Sequence, residues 1–232
     1  MKCSSVFSRH SMKIISAIVA LSVVVFLPCT SIGQTSYDMP ATIDPNARYF
    51  LFLHNYYVEK NGPSGDCKYH DIIAAFVERG FVVISEVRTG KIIPCIYAEK
   101  VVRKVKTLLD AGVRPENITV GGHSKGGVIT LCTATDLGNA KINLVVMAGC
   151  GIAGVKKHDM YPNFGKLKGR MLSIYASSDS IAGSCEGAFA QAPKGLSSME
   201  IILKSELGHR LFFTPSDVWI DPIVDWINKG QL

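Results

Sequence analysis

A pentapeptide of the form G-x-S-x-G occupies residues 122–126, with Ser124 at its centre. The apolar stretch 118–120 reads as a strand and stands directly before it, and the helix-compatible stretch 128–135 follows. Between a strand and a helix, this pattern puts the serine on a sharp turn that lifts its hydroxyl above the sheet. The flanking glycines leave room for that turn. The combination predicts a nucleophile at Ser124, whereas the pentapeptide without its neighbours would be a weak signal.

A serine hydroxyl needs a general base at neutral pH, and the base needs a partner that orients it. Where the serine sits on such a turn, the chain order is Ser, then Asp or Glu, then His, each after a later strand. Asp179 follows the predicted strand 170–176, and His209 follows the predicted strand 199–203. We therefore predict that His209 is the base and that Asp179 orients it.

Simpler roles compete for these two side chains. Asp179 could be a helix N-cap or turn residue, and His209 could be a histidine of a surface loop. Two rivals are placed less well, because His158 comes too early in the chain and Asp159 precedes the strand that it should follow. His123, beside the nucleophile, is expected to be structural rather than a second base.

Strands and helices alternate along the chain that must position these residues. The predicted strands are 48–58, 81–87, 118–120, 142–148, 170–176 and 199–203, and the predicted helices are 71–79, 97–111, 128–135 and 218–227. Continuous apolar strands between helices indicate a mainly parallel sheet with helices on both faces. Right-handed crossovers bring the carboxyl ends of such strands to one edge, where sites form.

The first 33 residues differ in character from the rest. A basic start without acidic residues leads into the apolar run 14–27, and a small-x-small pattern ends at Gly33. This predicts a signal peptide, residues 1–33, cleaved to leave one domain, residues 34–232, in a secreted or periplasmic protein. The run is short for a membrane span of about 17–25 residues. An uncleaved anchor and lipidation at Cys29 are the alternatives.

These motifs resemble the α/β-hydrolase superfamily over about residues 48–228. The resemblance implies the α/β-hydrolase fold, and the stretch 150–167 is too short for a large cap domain. A compact, lidless enzyme similar to small esterases and dienelactone-hydrolase-like enzymes is therefore expected. Its oxyanion hole would take one backbone N–H from Lys125 and a second from Asn55 or Tyr56, in the loop after the first strand.

The expected activity is hydrolysis of carboxylic esters of small substrates through an acyl-enzyme, without a cofactor or metal ion. His54 and Arg88 are weak candidates for substrate binding. Alternatively, His54 packs beneath the site, and Arg88 forms an ion pair with Glu59 or Glu86. A non-catalytic binding protein on the same scaffold and a membrane-tethered interaction protein are the competing functions. The formal net charge is +6, but no basic stripe with interleaved aromatics predicts a nucleic-acid partner.

Export would place the cysteines in an oxidising compartment, where disulfides persist. Two of the seven cysteines lie in the first 33 residues, so an odd number remains. The fold implied by the resemblance suggests a Cys150–Cys185 bridge that braces the Asp179 loop. It also suggests a second pair, Cys67–Cys95, with Cys132 free and buried.

Overall fold

A computed structural model describes residues 38–151 and 162–229. Its centre is one sheet of six parallel strands in the order β2-β1-β3-β4-β5-β6. The strands are β1 (Arg48–Leu53), β2 (Phe81–Ile84), β3 (Ile118–His123), β4 (Asn143–Met147), β5 (Arg170–Ala176) and β6 (Ser197–Leu203). The predicted signal peptide and its cleavage site lie outside the described residues, as does the segment 152–161, where a cap would be inserted.

Helices cover both faces of this sheet. They are α1 (Tyr56–Asn61), α2 (Tyr69–Glu78), α3 (Pro94–Asp110), α4 (Lys125–Leu137), α5 (Glu186–Phe189) and α6 (Asp217–Lys229). None of the helices in the described part of the chain is long and apolar enough to cross a membrane.

The two-residue period of β1 divides the core into two halves. Tyr49 and Leu51 belong to the apolar cluster that also contains buried residues of α3 and α4. Phe50 and Phe52 point to the opposite face and join the cluster formed with α2 and α6. Because successive side chains of a strand face opposite ways, an unbroken apolar strand fills both halves. The predicted parallel sheet with helices on both faces is confirmed.

The predicted strand 48–58 is wrong beyond Leu53. Asn55 ends the extended segment as the N-cap of α1, and its side-chain oxygen accepts a hydrogen bond from the backbone N–H of Val58 at 3.0 Å. A capping asparagine satisfies a donor that a new helix leaves without an intrahelical partner. The aromatic residues after Asn55 therefore form a short helix, not the second half of a strand.

The predicted Cys67–Cys95 pair is also wrong. Cys95 is bonded to Cys132, with 5.1 Å between their Cα atoms, and Cys67 is a buried free thiol. Cys95 lies in the first turn of α3 and Cys132 in α4, and these two helices pack on the same face of the sheet. Spacing along the chain does not reveal that packing. The expected Cys150–Cys185 bridge is present in the structure, also with 5.1 Å between Cα atoms.

Disulfide mapping of the unreduced protein checks this pairing. Proteolysis should release one peptide pair joined through Cys95 and Cys132 and another joined through Cys150 and Cys185. Cys67 should be alkylated only after denaturation, because its side chain is buried. A peptide pair joined through Cys67 would contradict the structure.

Candidate active site

Ser124 occupies a strained turn between β3 and α4. Its backbone φ is +56° and its ψ is −116°, a region that residues other than glycine rarely adopt. Two hydrogen bonds hold the turn: the Ser124 N–H donates to the Met147 carbonyl at 2.9 Å, and the Ser124 carbonyl accepts from the Val128 N–H at 3.1 Å. The strain is thus maintained by the neighbouring strand β4 and by the first turn of α4.

The glycines on either side of Ser124 let this turn lie directly against the end of β1. A Cβ atom on Gly126 would stand 1.9 Å from the Leu53 carbonyl oxygen and 2.8 Å from the His54 carbonyl oxygen. On Gly122, a Cβ would stand 2.5 Å from the backbone of Gly126 and 2.7 Å from the Leu53 oxygen. The obstacles are backbone atoms, which cannot rotate away as a side chain can. Only glycine is compatible with this packing at both positions.

Three side chains form one hydrogen-bonded chain at the carboxyl edge of the sheet. The Oγ of Ser124 lies 2.8 Å from Nε2 of His209, and Nδ1 of His209 lies 2.9 Å from Oδ2 of Asp179. An ionised carboxylate only accepts hydrogen bonds, so the ring proton belongs on Nδ1, where it is donated to Asp179. Nε2 is then free to accept the Ser124 proton. The structure therefore brings together all three residues that the chain order singled out.

The loop after β5 is built to hold the Asp179 carboxylate. The side chain is fully buried, and its second oxygen, Oδ1, accepts the backbone N–H groups of Ile181 at 2.8 Å and Ala182 at 2.9 Å. The Asp179 N–H donates to the Ala176 carbonyl at 2.9 Å. With both oxygens engaged, the carboxylate has a fixed direction towards His209.

A serine that sequence reasoning missed ties this loop to the loop that carries the histidine. The Ser178 hydroxyl donates to the Ser205 carbonyl at 2.6 Å and accepts the Gly208 N–H at 3.1 Å. Gly208 has a φ of +52°, so the backbone turns there immediately before His209. The only signal in the sequence is the position of Ser178 next to the acid.

His123, which we predicted to be structural, lies buried next to His209. It is fully buried, its ring lies 4.8 Å from the His209 ring between centroids, and its Nδ1 accepts the side-chain amide of Asn55 at 3.0 Å. Burial lowers the pKa of His123 well below its usual value, and the positive charge that His209 can carry acts in the same direction. A neutral ring therefore packs behind the histidine that contacts Ser124.

The predicted oxyanion donors lie at two helix starts. Lys125 is the first residue of α4 and Tyr56 is the first residue of α1. The first N–H groups of a helix have no intrahelical acceptor, so they are available to an anion. The side chain of Asn55 is engaged in capping and in the contact with His123, which leaves only its backbone for such a role.

An open cleft of about 520 Å³ adjoins the serine and the histidine. It is lined by Asn55, Tyr56, Tyr57, Lys60, Asn61, Ser124, Ile181, His209 and Phe213. Three aromatic rings and an isoleucine make much of this surface apolar, and its volume lies in the range of small-molecule sites. Among residues 38–151 and 162–229, no cluster of three or more His, Cys, Asp or Glu side chains is arranged to hold a metal ion.

His54 and Arg88, the weak candidates for substrate binding, are buried and do not line the cleft. The backbone N–H of Arg88 donates to His54 Nε2 at 2.7 Å, and the Arg88 guanidinium donates to the His54 carbonyl. Burial, and then the charge of Arg88, lower the pKa of His54 to about 3. Arg88 Nε lies 3.8 Å from a carboxylate oxygen of Glu59. In the structure His54 is therefore a packed, buried side chain, and Arg88 is ion-paired with Glu59.

Comparisons with known proteins identify the fold. The chain matches no protein-family model and no curated protein. A candidate dienelactone hydrolase from Klebsiella pneumoniae superposes with a TM-score of 0.57 at 14% identity, over 82% of this chain and 90% of the other. A truncated carbohydrate esterase from gut microbiota superposes with a TM-score of 0.54 at 13% identity, over 83% of this chain and 89% of the other. The protein DcsB, in complex with its substrate analogue, superposes with a TM-score of 0.57 at 14% identity, over 81% of this chain and 92% of the other. The chain has the α/β-hydrolase fold.

Replacing Gly126 by alanine should destabilise the protein by several kcal/mol, although alanine is favoured over glycine in a helix by about 1 kcal/mol. The reason is the 1.9 Å approach of the added Cβ to the Leu53 carbonyl oxygen. Urea unfolding measures the change. Gly187→Ala is the matched control, because Gly187 also lies in a helix and a Cβ there meets no atom within 4 Å. Equal effects at the two positions would contradict the close contact.

The free energy of unfolding should fall as the pH falls from about 6.5 towards 3. The pKa of His54 is about 3 in the folded protein against 6.5 for an ordinary histidine, and the pKa of His123 is lowered too. In this window the unfolded chain binds protons that the folded protein does not, so acid favours unfolding. Each such histidine contributes up to about 1.4 kcal/mol per pH unit.

Urea unfolding at pH 7, 6 and 5 checks this expectation. A free energy of unfolding that stays constant between pH 7 and pH 5 would contradict the neutral burial of His54 and His123.

Proposed function

We propose that the protein is a serine hydrolase that cleaves carboxylic esters of small substrates through an acyl-enzyme. The observation that carries this proposal is the unbroken hydrogen-bonded chain from Ser124 through His209 to Asp179, with contacts of 2.8 Å and 2.9 Å. A non-catalytic binding protein would have no need for an aligned serine, imidazole and carboxylate on a strained turn. The similar structures include a candidate dienelactone hydrolase and a carbohydrate esterase, which supports the proposal.

The chemistry follows from the geometry. His209 Nε2 takes the proton from Ser124 Oγ as the oxygen attacks the ester carbonyl, and Asp179 stabilises the imidazolium that forms. The same proton is then donated to the leaving alcohol, so an acyl-enzyme remains on Ser124. Water activated by His209 attacks the acyl group, the carboxylic acid leaves, and Ser124 recovers its proton.

The negative oxygen of each tetrahedral intermediate needs hydrogen-bond donors. The backbone N–H of Lys125, at the start of α4, is the first proposed donor. The second comes from Asn55 or Tyr56, which line the cleft beside Ser124. Donors held in place before the reaction stabilise a developing charge without reorganisation, and the loss of one costs about 10²–10³ in rate.

The cleft favours esters with an apolar or aromatic group. The Tyr57 and Phe213 rings lie 5.2 Å apart between centroids, and Tyr56 and Ile181 are exposed at 56% and 55%. Apolar surface that lies open beside a nucleophile gains free energy when a substrate covers it.

Export of the protein is part of the proposal. Two disulfides, Cys95–Cys132 and Cys150–Cys185, support it, because such bonds persist in oxidising compartments. The first 33 residues supply the signal sequence in this scheme, with cleavage after Gly33.

A fluorophosphonate probe tests the proposed function. The full chain, expressed under oxidising conditions, should be labelled at Ser124, because the probe reacts with an activated serine. Ser124→Ala and His209→Ala should abolish labelling, and Asp179→Asn should slow it by on the order of 10⁴, as expected when the base loses its orienting carboxylate. Ester substrates with aliphatic and aromatic acyl groups then define specificity.

Ser198→Ala is the control for this experiment, because Ser198 is exposed on β6 and should have no effect. A folded wild-type protein that the probe does not label would overturn the hydrolase proposal and favour a binding function on the same scaffold.

A further inference from the structure

Three charged side chains are packed together beneath the cleft. Lys125 Nζ lies 2.6 Å from Oε1 of Glu59, and Arg88 Nε lies 3.8 Å from Oε2 of the same carboxylate. Only 1% of the Glu59 and Arg88 side chains and 16% of the Lys125 side chain are exposed. Removing charges from water is costly, and apolar residues of similar size can often replace a buried ion pair without loss of stability. Stability alone therefore does not explain charged side chains at this position.

The Lys125–Glu59 pair joins the two helix starts that face the cleft. Lys125 directly follows Ser124 and begins α4, whereas Glu59 lies in the first turn of α1, just after Asn55 and Tyr56. On its other side, Ser124 is preceded by His123, whose ring accepts the amide of Asn55 at 3.0 Å. Both neighbours of Ser124 are therefore attached to the segment that contains the second proposed oxyanion donor.

Arg88 contributes to the same arrangement from the side of β2. Its guanidinium donates to the carbonyl of His54, in the peptide group whose N–H belongs to Asn55. With Lys125 it places two cations against one carboxylate, Glu59.

We propose that the ion pair between Lys125 and Glu59 positions the backbone donors of the two helices for the transition state. This inference rests on the proposed hydrolase function. Neither Lys125 nor Glu59 lines the cleft, so we assign both side chains a positioning role. Since the pair acts on donors that strengthen as the oxyanion forms, its loss should lower kcat and leave KM largely unchanged.

Lys125→Met is the principal test, because it removes the charge, keeps the backbone N–H and leaves Glu59 beside Arg88. We expect kcat for an aryl ester to fall by about 10-fold or more. This loss should remain smaller than the 10²–10³-fold loss in rate that follows complete removal of an oxyanion donor. The affinity for phenylboronic acid, which forms a tetrahedral adduct with an active serine, should fall with kcat/KM. Lys125→Arg, which can still pair with Glu59, should recover most of the activity.

Glu59→Gln supplies the second arm of a double-mutant cycle. If the two charges act as one unit, the variant carrying both substitutions should lose no more kcat than the worse single variant. Lys141→Met is the matched control, since Lys141 forms an exposed ion pair with Glu116 at 3.2 Å outside the site. Thermal unfolding of every variant separates lost activity from lost folded protein.

Three results would overturn the inference. One is a higher KM with unchanged kcat in Lys125→Met, which would make Lys125 a substrate-binding residue. Another is additive losses in the cycle, and the last is activity that falls only in proportion to the folded fraction. Failure of the proposed function is recognised separately, because the wild-type protein would then not react with the fluorophosphonate probe.

Discussion

The contact between the Ser124 turn and the end of β1 is the constraint on which the rest of the site depends. Gly122 and Gly126 bring the start of α4 against the Leu53 carbonyl, closer than any side chain would permit. This contact places Ser124 beside the loop that begins α1, so one serine faces two helix starts. Because the atoms that surround the two glycines belong to the backbone, the turn has little freedom to relax. A strained φ at Ser124 is the local cost, of order 1–3 kcal/mol.

Parallel strands account for how the remaining residues reach the serine. The chain leaves β3, β5 and β6 at the same edge of the sheet, so the loops after them carry Ser124, Asp179 and His209 to one place. The loops are then fixed by short polar contacts, such as those of the Ser178 hydroxyl with the loop before His209. The strand order thus brings the three side chains close together, and the hydrogen bonds of the loops orient them towards one another.

Buried polar residues distinguish this site from a purely apolar scaffold. His54 and His123 are held neutral by burial, whereas Glu59, Arg88 and Lys125 remain as a charged group under the cleft. The neutral His123 ring packs against His209 without adding a charge there. The charged group connects the two helices that line the cleft. None of these five side chains lines the cleft, so they act on the site through the residues that do.

The amino-acid sequence by itself determined the alternation of strands and helices and the serine turn. It also determined the order in which Ser124, Asp179 and His209 occur. These follow from local periodicity and turn chemistry, which depend on neighbouring residues. Only the tertiary structure decided that Cys132 pairs with Cys95 and that Arg88 is buried against Glu59. Partners distant in sequence are chosen by how helices and loops pack on the sheet, which no local pattern records.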